Sequence, residues 1–159
     1  MSRINLKELS HSLILFVCLP VAMIPAPTNL IVALIVFNIR DKGCGIGMYE
    51  GRVLEYCKGL SAFQSGYLEA TTAVVLIGGL YDGLNTLPYA EGLSAYLKSK
   101  QLALIQPILP SSYHGFGHSS IHDDAKHIDL LLCHIKSQLR IDTAVILGHS
   151  TGCQDIMAY

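Results

Sequence analysis

The sequence predicts an α/β fold of three layers, in which helices cover both faces of a parallel sheet. Residues 73–77 (AVVLI) are apolar without polar alternation, as is typical of a strand buried on both faces. Residues 102–109 and 143–147 repeat this pattern, and stretches with apolar residues at helical spacing separate the three runs. Alternating strands and helices indicate βαβ units. A length of 159 residues suits one domain with a real core.

The N-terminal segment, residues 1–42, contains an apolar run at residues 12–37 that carries no charge. Because a bilayer-spanning helix needs ~20 apolar residues, this run predicts a membrane anchor. Prolines interrupt the run at Pro20, Pro25 and Pro27, which equally favours a kinked or re-entrant segment. The alternatives are a buried hydrophobic element and a mistaken exon.

Residues 43–52 are glycine-rich and predict a linker, so the folded domain is expected to span residues 53–159. Residues 53–67 are weakly patterned and predict one or two short edge strands, with a turn near residues 64–66. The strand at residues 73–77 follows and ends in a glycine pair.

Two helices are predicted between the buried strands. Thr86-Leu87-Pro88 opens the first, with proline in its first turn. Its apolar stripe consists of Leu87, Ala90, Leu93 and Leu97. Ser120 and Asp123 open the second helix as a capping box. The stripe of the second helix consists of Ile121, Ala125, Ile128, Leu132, Ile135 and Leu139.

The strand at residues 143–147 runs into Gly148-His149-Ser150-Thr151-Gly152, and residues 153–159 begin a helix. Strand, G-x-S-x-G and helix together indicate a nucleophile elbow. The turn is so tight that a Cβ at either flanking position would collide with backbone, which explains the two glycines. Ser150 is then expected in a strained conformation with its Oγ exposed beside the N-terminus of the helix.

Ligands of an open parallel sheet bind at the carboxyl ends of its strands. Residues 78–83, residues 111–120 and Ser150 are predicted to meet there. Acyl transfer needs donors for the developing oxyanion, and the backbone N–H groups of Thr151 and Leu80 are the predicted pair. An ordinary tight strand-to-helix turn is the competing interpretation of the glycine loop at residues 78–83.

Composition argues against several other classes of function. The net charge of −1 gives no attraction for nucleic acid. Five cysteines, at positions 18, 44, 57, 133 and 153, show no metal-ligand spacing and predict unpaired thiols in a reducing compartment. Seven histidines form no metal motif either, so neither a metal nor another cofactor is expected. The folded domain is predicted to be cytoplasmic, with membrane association through residues 12–37.

Several motifs occur together in order: IGGLxDG at residues 77–83, PY at 88–89, QP at 106–107, SSYxGxGxSS at 111–120 and LGHSTGCQD at 147–155. On these motifs, residues 53–159 resemble the N-terminal half of an α/β-hydrolase. More narrowly, they resemble a family of largely uncharacterised α/β-hydrolase-like proteins of fungi and plants that includes the fungal siderophore ester hydrolases.

The resemblance implies that Ser150 is the nucleophile of a Ser-Asp-His triad that hydrolyses a small-molecule ester. Side chains and water suffice for this mechanism. The loops beside the serine supply the predicted substrate contacts, which are Gly79, Tyr81, Tyr113, His114 and His118.

The chain departs from the family after the serine. In this fold the acid and the histidine follow the nucleophile, but residues 151–159 contain no histidine and only Asp155 as a carboxylate. The fold is therefore predicted to be truncated after the elbow, with little or no hydrolase activity. His114 or His118 is the alternative base, whereas His149 should point to the opposite face from Ser150.

Two further interpretations stay open. The chain is either a non-catalytic, membrane-tethered interaction protein that retains half of a hydrolase fold, or a fragment of a longer reading frame. In each case the last strand is expected to lack a neighbour. Marginal stability or aggregation should follow unless a partner covers that open edge.

Overall fold

The computed structural model of the protein describes residues 17–18, 29–34, 50–112 and 115–159. These residues form the following elements: β1 Val17–Cys18, β2 Asn29–Leu34, β3 Gly51–Cys57, β4 Leu60–Gly66, β5 Thr72–Ile77, α1 Ala90–Ser99, β6 Ala103–Pro107, α2 Ile121–Leu139, β7 Thr143–Gly148 and α3 Gly152–Ala158.

All seven strands belong to one sheet, in the order β1-β2-β7-β5-β6-β4-β3. The four central strands, β2, β7, β5 and β6, are parallel to one another. The flanking strands are antiparallel to their neighbours, with β1 on β2 at one side and β4 and β3 beyond β6 at the other. The three predicted buried strands are therefore adjacent at the centre of the sheet.

Helices cover both faces of this sheet. Val75 and Ile77 lie in one apolar cluster with residues of α2 and α3, whereas Leu76 lies in a second cluster with residues of α1. Because successive side chains of a strand point to opposite faces, an uninterrupted apolar strand supplies both clusters. The predicted three-layer α/β architecture is confirmed.

The position of the turn between β3 and β4 differs from the predicted one. The chain reverses at Lys58 and Gly59, where Gly59 has a φ of 78°, and not near residues 64–66. Gln64 and Ser65 are fully buried inside β4. Their polar atoms are satisfied, since the Gln64 amide donates to the Leu68 carbonyl and the Ser65 hydroxyl accepts from Ser94. β3 begins at Gly51, two positions before the predicted start of the domain.

The first helix begins later than predicted. α1 starts at Ala90, because Leu87 forms a turn in which its carbonyl accepts the Ala90 N–H. Leu87, Ala90 and Leu97 of the predicted stripe are nevertheless buried.

The second helix, α2, has the predicted capping box, with Ser120 and Asp123 each accepting a hydrogen bond from the backbone of the other. Ile121 is 44% exposed and was wrongly placed in the core, because the buried face starts one turn later. Leu131 is fully buried instead, and the carboxylate of Asp124 takes a core position that no apolar pattern predicts.

The N-terminal apolar run contributes two strands, β1 and β2, to the sheet. β2 pairs in parallel with β7 from Asn29 opposite Thr143 to Leu34 opposite Gly148. The expectation that the last strand would lack a neighbour is therefore wrong, because β-branched and apolar residues of the same chain suit a strand at that edge. No described helix has both the length and the apolarity to span a bilayer. The remainder of the predicted anchor at residues 12–37, and residues 43–49 of the predicted linker, lie outside the described residues.

Candidate active site

Ser150 occupies a sharp turn between β7 and α3. Its φ is 54°, in the left-handed region, and its side chain is exposed. A non-glycine residue in this region stores roughly 1–3 kcal/mol of strain. The glycines on either side admit no side chain. A Cβ on Gly148 would lie 2.8 Å from the Cys153 nitrogen, and one on Gly152 would lie 2.4 Å from the carbonyl oxygens of Ile77 and Gly78.

The loop after β5 lies directly against the serine. A Cβ on Gly79 would lie 2.8 Å from the Ser150 Cβ and 3.3 Å from the His149 carbonyl oxygen. Only a residue without a side chain allows this approach. The glycines of this loop also line a cleft, together with Ser111, Thr151 and Asp155.

Asp82 determines which N–H groups of this loop remain available. Its Oδ2 accepts the Gly79 N–H at 2.6 Å, and its Oδ1 accepts the Thr86 hydroxyl at 3.2 Å. The Gly79 N–H is thus occupied. The N–H groups of Leu80 and Thr151 donate no hydrogen bond to any residue that the structure describes. These two groups were the predicted oxyanion donors.

Gln106 holds the far end of the same loop. It is 4% exposed, and its side chain pairs twice with Asn85, accepting the backbone N–H at 3.3 Å and donating to Oδ1 at 3.0 Å. Asn85 has a φ of 61°, so the double contact stabilises a strained residue. Sequence reasoning assigned no role to Gln106. The feature of the sequence that could have identified it is a polar residue inside an apolar strand.

His149 contacts the residue that precedes α1. Its Nδ1 lies 3.2 Å from the Tyr89 hydroxyl, on the α1 side of the sheet. Burial, and then the charges of Asp82 and Cys153, raise the pKa of the Tyr89 hydroxyl above its ordinary value, so that it stays neutral. That His149 does not serve Ser150 stays a prediction.

The predicted substrate contacts lie on two loops. Tyr81 follows the glycine pair and is 60% exposed, with a φ of 65°. His118 is exposed on the loop after β6. Tyr113 and His114 lie outside the described residues. Phe116 was missed: it is 45% exposed, and its ring centroid lies 4.7 Å from that of Tyr81. The feature of the sequence that could have identified Phe116 is an aromatic residue between Gly115 and Gly117.

Two buried carboxyl groups lie on the helices α2 and α3, and sequence reasoning gave neither a role. Asp155 on α3 is 5% exposed, and Asp124 on α2 is fully buried. Burial, and then the charge of Asp124, raise the pKa of Asp155 to about 6. Asp124 Oδ1 accepts the Ser111 N–H at 3.1 Å, which connects α2 to the loop after β6.

A family profile described as protein of unknown function (DUF1749) matches residues 44–159. The chain belongs to this family. It is similar to Esterase AN6793 of Emericella nidulans, with 34% identity over 119 residues that cover 69% of this chain and 32% of that protein. It is also similar to fusarinine C esterase sidJ of Aspergillus fumigatus, with 30% identity over 125 residues that cover 71% of this chain and 35% of that protein. The chain thus spans about a third of the length of these two relatives.

Solved structures resemble this DUF1749 chain as well. The siderophore hydrolase EstB from Aspergillus fumigatus has a TM-score of 0.63 and 27% identity, covering 72% of this chain and 36% of that one. An α/β-hydrolase fold protein of unknown function has a TM-score of 0.60 and 20% identity, covering 75% of this chain and 40% of that one. The resemblance to the α/β-hydrolase-like family, and the fold that it implies, are confirmed.

Proposed function

We propose that the chain carries the nucleophile of a serine ester hydrolase, with Ser150 attacking the ester carbonyl. The observation that supports this most directly is the conformation of Ser150, an exposed serine at positive φ between two glycines that admit no Cβ. The proximity of Gly79 to the serine adds a backbone wall on which a carbonyl group can lie. Esterases among the relatives, described above, support the same class of reaction.

In the proposed step, Ser150 Oγ bonds to the carbonyl carbon, and the π electrons move to the carbonyl oxygen. The Leu80 and Thr151 N–H groups then donate to the oxyanion. Collapse of this intermediate breaks the bond to the alcohol oxygen, which takes up a proton and leaves an acyl-enzyme. Water hydrolyses the acyl group and regenerates the serine.

The proton on Oγ needs a base. Residues 151–159 contain no histidine, and His149 contacts Tyr89. We therefore propose that the 159-residue polypeptide alone hydrolyses esters slowly or not at all, since an unassisted serine hydroxyl is a weak nucleophile.

Tyr81 and Phe116 are the proposed contacts for the substrate beyond its ester group. Their exposed rings form an apolar surface that joins the loop after β5 to the loop after β6. Such a surface favours an ester with an apolar or planar group over a highly charged one.

The test is labelling of the polypeptide with a fluorophosphonate probe, with and without added imidazole. Imidazole in solution can take the Oγ proton, so labelling should be slow without it and faster with it. Ser150→Ala should abolish the imidazole-dependent labelling. Ser112→Ala, which removes a serine that lines the neighbouring cleft, should retain it. Equal labelling of the parent chain and Ser150→Ala would contradict a nucleophilic role and favour a non-catalytic interaction protein.

A further inference from the structure

Asp82 closes the first part of the loop after β5 into a tight turn. Its backbone N–H donates to the Gly79 carbonyl at 3.0 Å, and its side chain accepts the Gly79 N–H at 2.6 Å. Two hydrogen bonds of opposite direction thus join the same two residues. Leu80 and Tyr81 lie at the centre of the turn, where Tyr81 has a φ of 65°. A non-glycine residue at such a φ persists only where its surroundings hold it, and the paired hydrogen bonds do so.

The carboxylate of Asp82 is also held at its other oxygen. Oδ1 accepts the Thr86 hydroxyl at 3.2 Å, and the Thr86 oxygen accepts the Gly83 N–H at 3.2 Å. The Gly83 carbonyl, 3.1 Å from the same hydroxyl, is its alternative acceptor. Because each carboxylate oxygen has its own donor, the side chain has a defined orientation toward the glycine.

The turn lies against the elbow at Gly79. A Cβ at this position would lie 2.8 Å from the Ser150 Cβ and 3.1 Å from Asp82 Oδ2. A Cβ on Gly78 would lie 2.8 Å from the Asp82 Cβ, so the first glycine of the pair leaves room for the side chain to fold back. Any displacement of the Asp82 carboxylate would therefore shift the backbone that contacts the serine.

The two hydrogen bonds also decide which donors of the turn stay free. The N–H groups of Gly79 and Asp82 are occupied, whereas those of Leu80 and Tyr81 donate to no residue that the structure describes. Without the carboxylate, the Gly79 N–H would compete with the Leu80 N–H as a donor beside the serine. A donor that is already in place stabilises a developing oxyanion better than one that must reorganise.

We propose that Asp82 is a positioning residue, which selects the Leu80 N–H as oxyanion donor by occupying the Gly79 N–H and closing the turn. It acts through its hydrogen bonds, and it neither contacts the reacting atoms nor takes a proton from Ser150. The consequence for catalysis rests on the proposed function, but the bond between Asp82 and Gly79 does not.

Amide hydrogen exchange, followed by NMR, tests the bond to Gly79 independently of catalysis. Asp82→Ala should accelerate exchange of the Gly79 amide about 10–100-fold, because a hydrogen bond to a charged acceptor is lost. Asp82→Asn should keep exchange slow, since its amide oxygen can accept from Gly79 while its NH2 group donates to the Thr86 oxygen. Asp142→Ala, at an exposed carboxylate, is the control. Equal exchange in Asp82→Ala and the parent chain would overturn the proposal.

Imidazole-assisted labelling of Ser150 by the fluorophosphonate probe tests the positioning role. Asp82→Ala should slow labelling, by up to the about 10²–10³-fold that loss of one oxyanion donor causes. Asp82→Asn should restore most of the parent rate, because it keeps the hydrogen bonds without the charge. An unchanged rate in Asp82→Ala would contradict the role. Equal losses in both variants would assign Asp82 a role through its charge or as a base, and would also overturn the proposal.

A double variant shows whether Asp82 acts through the Leu80 N–H. Leu80→Pro already lacks this donor, so the addition of Asp82→Ala should slow labelling little further. Rates that fall by the product of the two single effects would show that Asp82 acts elsewhere, and would overturn the assignment.

A reaction without an oxyanion separates positioning from a general loss of structure. In Ser150→Cys, the new thiolate displaces iodide from the saturated carbon of iodoacetamide, and mass spectrometry of the peptide follows the product. Asp82→Ala should leave this rate unchanged. A slower alkylation would indicate a displaced elbow and contradict the positioning role. Absence of Ser150 labelling in the parent chain would contradict the proposed function instead, and the exchange result at Gly79 would stand independently of it.

Discussion

At the scale of single residues, the elbow depends on glycines whose hydrogens face backbone atoms. Gly152 lies against the carboxyl end of β5, where its missing Cβ would be 2.4 Å from two carbonyl oxygens. Backbone oxygens in a paired strand cannot retreat as a flexible side chain can. Gly92, in contrast, lies within α1, with nothing inside 4 Å of its missing Cβ. A glycine-to-alanine substitution should therefore destabilise the fold at Gly152 and stabilise it at Gly92.

Gly152→Ala should lower the free energy of unfolding by about 1–3 kcal/mol, the usual cost of overpacking. Gly92→Ala should raise it by about 0.5–1 kcal/mol, because alanine loses less backbone entropy in a helix. Urea denaturation of both variants and the parent chain measures the difference. Equal effects would show that Gly152 is not in close contact with β5.

Leu80 permits a test of a backbone donor. Leu80→Pro removes the N–H that we assign to the oxyanion, whereas Leu80→Ala removes the side chain and keeps the N–H. Loss of one oxyanion donor typically slows acyl transfer about 10²–10³-fold. Leu80→Pro should therefore slow imidazole-assisted labelling of Ser150 far more than Leu80→Ala does. Similar rates for the two variants would assign the donor to another group.

At the scale of elements, β2 pairs with a side of β7 that would otherwise be an open sheet edge. A strand that ends a sheet with free N–H and C=O groups is a template for association, and β2 covers those groups of β7. The chain thus supplies from its own N-terminal segment the neighbour that β7 was expected to lack. Its ladder should be sensitive to proline, which has no N–H to donate.

The double variant Ile31→Pro/Val32→Pro should melt several degrees below the parent chain and form oligomers through β7. Each lost hydrogen bond costs about 1 kcal/mol, and each kcal/mol lowers Tm by about 2–4 °C in a domain of this size. Ile31→Val/Val32→Ile keeps both N–H groups and both β-branched side chains, and it serves as the control. Thermal denaturation and light scattering measure the two effects. A monomeric proline variant with the parent Tm would show that β2 does not protect this edge.

At the scale of the whole molecule, the Asp155 carboxyl makes stability depend on pH. Its pKa in the folded chain is about 6, above its ordinary value of 3.8. As the pH rises, the unfolded chain releases this proton first, so the stabilisation is complete below about pH 4 and is lost as the pH passes 6. At 1.36 kcal/mol for each pKa unit, the loss amounts to about 3 kcal/mol. Urea denaturation from pH 4 to pH 8 should show this decline, and Asp155→Asn should lack it.

Sequence alone was sufficient for β5, β6 and β7, for α2 and for the position of the serine turn, because each depends on local patterns. An apolar run specifies a buried strand, Ser120 and Asp123 specify a helix start, and two glycines specify a tight turn. The polar residues in β4, the buried Asp124 and the contact between Gln106 and Asn85 were not predictable. Their environment is set by strands and helices distant in sequence, which supply the partners that make burial of a polar group tolerable.

The pairing of β2 with β7 also constrains the order of events during synthesis. Asn29 pairs with Thr143, so β2 leaves the ribosome long before its partner exists. At the usual ~5–20 residues per second, the delay is on the order of ten seconds. During that interval an apolar segment lacks its final neighbour. Closure of the sheet at this position is therefore a late event of folding, since β2 and β7 are the most distant in sequence of the strand pairs that the structure describes.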